Sequence, residues 1–316
     1  MRATTRPLLA AALACAVVAA GCGGSSKAHE GHGAHQRRDA PLLVNGGRLV
    51  ALGGGRSLYL KCMGSGSPTI VLEAGFGGNS DNWRDVQPEL ARTARTCSYD
   101  RAGLGNSVAM PGVHSAADEV RDLHRLLTAA HVAPPYVIVG HSYGGLLARL
   151  FAHEHPAETA GVVLVDAVGR DQTQRQLAIW PRSEVPKLRR AYAKPVADGV
   201  NVAAGEALGA RIRTLGTTPL AVVTAGNHAA DLSPLPPRLA RAEERLWTTM
   251  QDELATLSPD HVHVVALRSG HFVQSLDGQP EVVVRAIDAV VGAARDHGRL
   301  PACKRLFTGP GVRCVS

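Results

Sequence analysis

The sequence predicts an α/β fold, a mostly parallel sheet with helices on both faces, and three observations lead there. From residue 47 onward, short apolar runs rich in β-branched residues alternate with amphipathic stretches. Eight such runs occur, and most are too far apart to be joined as hairpins. The chain has 316 residues, 45% of them hydrophobic, which is enough for one large core.

The first two runs, "GRLVAL" (47–52) and "SLYLKC" (57–62), flank the turn "GGGR" and read as an antiparallel edge hairpin. "TIVLEA" (69–74), "TCSYD" (96–100), "YVIVG" (136–140), "GVVLVD" (161–166), "LAVVTA" (220–225) and "HVHVVAL" (261–267) follow. Helical stretches separate most of these, which implies parallel neighbours. In "SAADEVRDLHRLLTAAHV", Val120, Leu123, Leu126 and Leu127 share one helical face behind Ser115 as an N-cap. The interval 167–218 is too long for a simple crossover. It contains the helical patterns "VPKLRRAYAKPVA" and "GEALGARIRTL", so it is expected to form an inserted cap, with the core spanning 46–166 and 219–300. The cap is rich in Arg, and a moderately basic entrance that tolerates acidic substrates is expected of it.

The N-terminus reads differently. Arg2 and Arg6 precede "LLAAALACAVVAA" (8–20), a charged region and then an apolar stretch too short for a stable membrane helix, as in a signal peptide covering 1–21. "AAGC" resembles a bacterial lipobox, with Ala19 where leucine is usual, which implies a lipid on Cys22 and attachment to the membrane. Cleavage without lipid is the alternative, and both export the chain. Residues 22–45 are rich in Gly, Ser and charge, as a flexible tether is. His29, His32 and His35 lie there; a solvated linker is expected, and loose metal binding is the other possibility. With Cys15 in the signal and Cys22 acylated, Cys62, Cys97, Cys303 and Cys314 remain, suited to two disulfides in an oxidising compartment and open to three connectivities. The net charge is +7, but 34 basic residues are scattered among 27 acidic ones, which speaks against nucleic-acid binding.

The chemistry-bearing segment is "YVIVGHSYGGLLARLF" (136–151), where a strand must become a helix at Ser142. A nucleophile on so sharp a turn needs flanking residues without side chains, and Gly140 and Gly144 meet that need. A serine hydroxyl becomes a useful nucleophile when an imidazole accepts its proton, and that imidazole needs a carboxylate to fix its tautomer. "ALRSGHFVQ" puts His271 just after the last strand, with Ser269 and Gly270 small enough for a close approach. His141 is expected to point away from the site, and His124, His131, His153 and His155 to be structural.

"LEAGFGG", "YDRAGLGNS", "GHSYGG" and "SGHF" occur in that order, and with them residues 47–295 resemble the α/β-hydrolase superfamily. The resemblance implies an eight-stranded sheet, Ser142 as nucleophile and His271 as base. It takes the acid from the loop after the sixth or the seventh strand, which offers Asp166 or Asp231. Asp166 is the expected acid; Ala229 holds the usual position after the seventh strand, and Asp231 comes two residues later. Asp166 could instead cap the first helix of the cap. The oxyanion donors implied are the amides of Tyr143 and Phe76, the latter in a loop where Ala74 replaces the commoner histidine. In this fold the second and fourth strands are neighbours, which implies Cys62–Cys97 and leaves Cys303–Cys314 to close a tail at 301–316. Asp100 and Arg101 are expected to brace the loop after the fourth strand, and Trp83 and Trp247 to pack.

No phosphate-binding glycine motif or zinc signature is present, so no cofactor and no metal are expected. The function expected is a serine hydrolase acting on a small carboxylic ester or related acyl compound through an acyl-enzyme. Lactone, thioester, peptide and cofactor-free perhydrolase chemistry use the same groups, and a non-catalytic surface binding module is a rival from another class. Nothing in the sequence bears on oligomeric state.

Overall fold

The computed structural model describes residues 43–193 and 199–316. The expected signal peptide, Cys22, nearly all of the tether, and His29, His32 and His35 lie outside the described residues.

Among the described residues, ten strands form one sheet: β1 (Leu43–Val44), β2 (Gly47–Gly53), β3 (Arg56–Met63), β4 (Thr69–Glu73), β5 (Thr96–Tyr99), β6 (Tyr136–His141), β7 (Thr159–Val165), β8 (Leu220–Ala225), β9 (His261–Ala266) and β10 (Val312–Cys314). Their order is β1-β2-β3-β5-β4-β6-β7-β8-β9-β10. From β5 to β9 the neighbours run parallel, and β1, β2, β3 and β10 are antiparallel additions at the two edges. All eight expected strands are present, and the expected count is corrected to ten by β1 and β10. Those two span two and three residues, too few to show an alternating pattern.

Cys62 lies directly opposite Cys97 across β3 and β5, and the two are bonded. The second disulfide, Cys303–Cys314, ties the tail to itself, and β10 pairs with β9. Two disulfides suit a compartment outside the cytoplasm. No helix among the described residues is long and apolar enough to cross a membrane.

Among the described residues, seven helices of two turns or more accompany the sheet: α1 (Ala116–Ala129), α2 (Tyr143–Glu154), α3 (Gln172–Ile179), α4 (Val185–Tyr192), α5 (Val202–Gly209), α6 (Pro237–Ala255) and α7 (Pro280–Asp296). Ser115 caps α1 through a reciprocal pair with Asp118, as its position before the apolar stripe anticipated. The strands alternate faces. Ile138, Val162 and Val222 join α1 and α2 in one core, whereas Val137, Val163 and Val223 join α7 in the other.

A third, smaller core of Leu177, Trp180, Leu188 and Leu235 lies among α3, α4 and the start of α6. The residues after β8 therefore share the helical layer with 167–218. Side-chain links fasten the halves. Arg175 of α3 forms a paired ion bridge to Glu253 of α6 at 2.7 and 3.0 Å, and Trp180 donates its indole N–H to Glu243.

Candidate active site

Ser142 connects β6 to α2 at φ 53° and ψ −120°, a backbone region that side chains ordinarily avoid. The surroundings explain the glycines. A Cβ on Gly140 would stand 2.2 Å from the Gly144 carbonyl oxygen, and one on Gly144 would stand 2.4 Å from that of Glu73. The serine itself is buried, at the carboxyl edge of the parallel strands.

Asp166 follows β7 at that edge and is fully buried. Each of its carboxylate oxygens receives two donors. Oδ1 accepts from the Ala225 amide at 3.0 Å and the Trp247 indole at 2.8 Å. Oδ2 accepts from His271 Nδ1 at 2.7 Å and His228 Nε2 at 3.0 Å. Because His271 spends Nδ1 on this carboxylate, Nε2 is the nitrogen left for proton transfer. Burial opposes the charge on Asp166, but His228 and the bonds from both histidines outweigh it and hold the carboxyl well below its usual range.

His228 was not foreseen in the sequence. Its other nitrogen, Nδ1, faces Glu244 at 3.2 Å, so the imidazole is held between two carboxylates. Burial disfavours its charge, yet Asp166 and then Glu244 prevail and raise it to about 10. Asp231, the alternative acid, sits in the single helical turn Ala229–Leu232 and makes no hydrogen bond to His271 or His228. Asp166, not Asp231, is the carboxylate on His271. Nor does Asp166 cap the helix that follows, since the N-cap position of α3 belongs to Asp171.

His141 departs from expectation. It turns into the site, donating Nε2–H to the carbonyl of His271 at 2.9 Å and lying against the His271 and Phe272 rings. Burial pushes it down to about 3, so it stays neutral. Gly75 makes room for it, since a Cβ there would come within 2.8 Å of His141 Nδ1 and 3.3 Å of Ser142 Cβ. The loop after β4 thus lies directly on the serine.

Arg101 braces that loop. Nη1 donates to Glu73 Oε1 and the Ala74 carbonyl, and Nη2 to the Gly75 carbonyl, each at 2.7 Å. Nε pairs with Glu119 at 3.2 Å. The residue is buried, which accords with its expected bracing role. Phe76 comes next, edge-on to the Tyr143 ring with centroids 6.0 Å apart. Tyr143 opens α2, at the positive end of that helix. Asp100 accepts from the amides of Ser80 and Asn106, each at 2.8 Å, and fixes the neighbouring loop.

Beside Ser142 is a cavity of about 50 Å³, whose walls include Phe76, Tyr143, Val168, Gln172 and Glu206. Among the described residues no Lys or Arg lines it, so none of them carries the basic character expected of the cap to the serine. Trp83 is core packing as anticipated, whereas Trp247 also serves as a donor to Asp166. Among the described residues, two sets of side chains bring potential metal-donor atoms within 4.8 Å, Asp166/His228/His271 and the half-buried set His124/His155/Glu158. In the first, each imidazole already donates to Asp166, so the histidine nitrogens facing the carboxylate are occupied.

Comparison with known proteins agrees with this fold. A family model described as alpha/beta hydrolase fold matches residues 68–236. The chain is 29% identical over 245 residues to the uncharacterized protein YqjL of Bacillus subtilis (strain 168), spanning 73% of this chain and 86% of that one. It is 33% identical over 150 residues to a 2-hydroxy-6-oxo-2,4-heptadienoate hydrolase of Pseudomonas putida, spanning 46% of this chain and 54% of that one. Among solved structures, an esterase from Thermogutta terrifontis superposes with a TM-score of 0.54 at 21% identity, over 78% of this chain and 98% of that one.

Proposed function

The chain belongs to the α/β-hydrolase-fold family and is an enzyme of hydrolase type, and from that premise we propose that it cleaves carboxylic esters through an acyl-enzyme on Ser142. The observation that carries this reading is the buried His271 Nδ1–Asp166 bond of 2.7 Å at the sheet edge that also presents Ser142.

In this reading Ser142 Oγ attacks the ester carbonyl while its proton passes to His271 Nε2. The carbonyl oxygen becomes an oxyanion held by the amides of Phe76 and Tyr143. Collapse breaks the bond to the alcohol oxygen, which takes the proton from His271 and leaves. A water then gives its proton to the same nitrogen and attacks the acyl carbonyl. The second tetrahedral intermediate releases the carboxylic acid and returns the proton to Ser142. Asp166 keeps the His271 tautomer and offsets its charge in both halves.

Labelling with a fluorophosphonate probe tests the nucleophile. The wild-type chain is expected to label and Ser142→Ala to show none; equal labelling of the two sinks the reading. Turnover of p-nitrophenyl butyrate tests the acid. Asp166→Asn is expected to lose on the order of 10⁴-fold in kcat, as in other triads, and Asp231→Asn to stay within about twofold of wild type. The apolar leader and "AAGC" support a further part of the proposal, that the enzyme is exported and held at a membrane by lipid on Cys22. Cys22→Ser is then expected to move it from the membrane fraction to the soluble one, and unchanged fractionation counts against the anchor.

A further inference from the structure

The cavity beside Ser142 is small and largely closed, and its polar groups are unevenly committed. Its volume of about 50 Å³ admits a few water-sized groups, hence a short chain. Val168 and the rings of Phe76 and Tyr143 supply apolar wall. Among the polar residues, Gln176 donates to Glu243 at 3.2 Å and accepts from the Tyr192 hydroxyl at 3.3 Å, so its amide is spent. Gln172 is different. Its amide oxygen accepts from the Gly169 N–H at 3.0 Å, and its amide nitrogen has no acceptor among the described residues. Glu206 is only 5% exposed and accepts the Thr173 amide through Oε2 at 2.8 Å.

A carboxyl group and an uncommitted amide donor therefore share one small chamber with the serine. A group that both donates and accepts satisfies the two together, and a hydroxyl is the smallest that does. A second carboxylate would press on Glu206, whose carboxyl burial already pushes up to about 7, an ammonium would pair with Glu206 but leave the Gln172 amide N–H without an acceptor, and a bare alkyl chain would strip water from both for nothing.

Resting on Ser142 as the nucleophile, we infer that this chamber is an acyl pocket selecting short acyl groups that carry a hydroxyl, which donates to Glu206 and accepts from the Gln172 amide. A buried hydrogen bond of this kind is worth about tenfold in specificity, because the unsubstituted chain leaves the site's polar groups unpaired.

The experiment compares kcat/KM for the p-nitrophenyl esters of butyrate and of 2-, 3- and 4-hydroxybutyrate. At least one hydroxy ester is expected to exceed butyrate by about tenfold in the wild-type chain. That ratio is expected to fall to near parity in Glu206→Leu and in Gln172→Leu, with Glu206→Gln, which keeps an acceptor oxygen, in between. Cooperative thermal unfolding identifies which variants are folded, and the ratio in any one of them decides. Wild-type parity, or a ratio unchanged in the folded variants, overturns the inference. Ser142-dependent fluorophosphonate labelling alongside separates the two levels: labelled enzyme without the preference removes only the pocket, whereas Ser142-independent labelling removes the reading it rests on.

Discussion

His228 shows how a single side chain shapes the pH behaviour of this enzyme. Its folded-state value of about 10 lies above the ordinary 6.5, so folding favours its protonated form. The stabilisation is complete below pH 6.5 and is lost as pH rises toward 10, at up to about 1.4 kcal/mol per pH unit for one proton. Asp166 works in the opposite direction, its lowered value giving stability that disappears in acid. Urea unfolding at pH 7, 8 and 9 is expected to show falling stability in the wild-type chain and a shallower slope in His228→Gln. Parallel slopes would mean that His228 is neutral in the folded state. The same variant leaves the Asp166 charge compensated by one imidazole fewer, so the acid limb of kcat/KM is expected to move to higher pH. The His271–Asp166 pairing and the place of Ser142 on the turn into α2 could be read from the sequence because each residue follows a strand next to small or strongly patterned residues. His228 could not. It lies in a loop whose path alone brings it to Asp166, and its second partner, Glu244, comes from another element.

At the scale of elements, the loop after β4 is held from below by Arg101 rather than from within by a histidine. The guanidinium joins Glu73 of β4, two backbone carbonyls of the loop and Glu119 of α1. Tyr99 of β5 also donates its hydroxyl to Glu73. Removing one partner of such a buried set strands the others, at a cost of roughly 3–5 kcal/mol. Arg101→Met is therefore expected to lower the unfolding midpoint in denaturant and, in the folded fraction, to reduce kcat by about 10²-fold through a misplaced Phe76 amide. A variant with full kcat would show that the loop keeps its position without the arginine. The strand pattern was legible because the parallel strands are buried on both faces and read as continuous apolar runs. β10 was hidden, since "VRC" has neither the length nor the alternation that marks a strand. His141 also escaped prediction: its inward turn depends on the missing Cβ of Gly75, nearly seventy positions earlier.

On the scale of the whole molecule, one disulfide joins β3 to β5 within the sheet, a second closes the tail, and one shared helical layer covers the sheet. The Cys303–Cys314 bond closes a short loop, and β10 extends the sheet beyond β9, the strand that leads to His271. Replacing both cysteines by serine is expected to cost about 2–3 kcal/mol in chemical unfolding, as for other loops of this length. Because the tail pairs at the sheet edge away from Ser142, kcat is expected to hold within about twofold. A large loss of turnover with stability intact would assign the tail a part in the chemistry.

The layer above the sheet is pinned at α6, which grips α3 through Glu243 and Glu253 and also sends Trp247 to the carboxylate of Asp166 and Gln251 to the carbonyl of Ala167. Any swing of this roof that drags α6 must pull on the acid as well. A displacement of the roof that widened the way to Ser142 would therefore disturb the donors on Asp166 too, as a door hung on a bearing wall pulls on the wall.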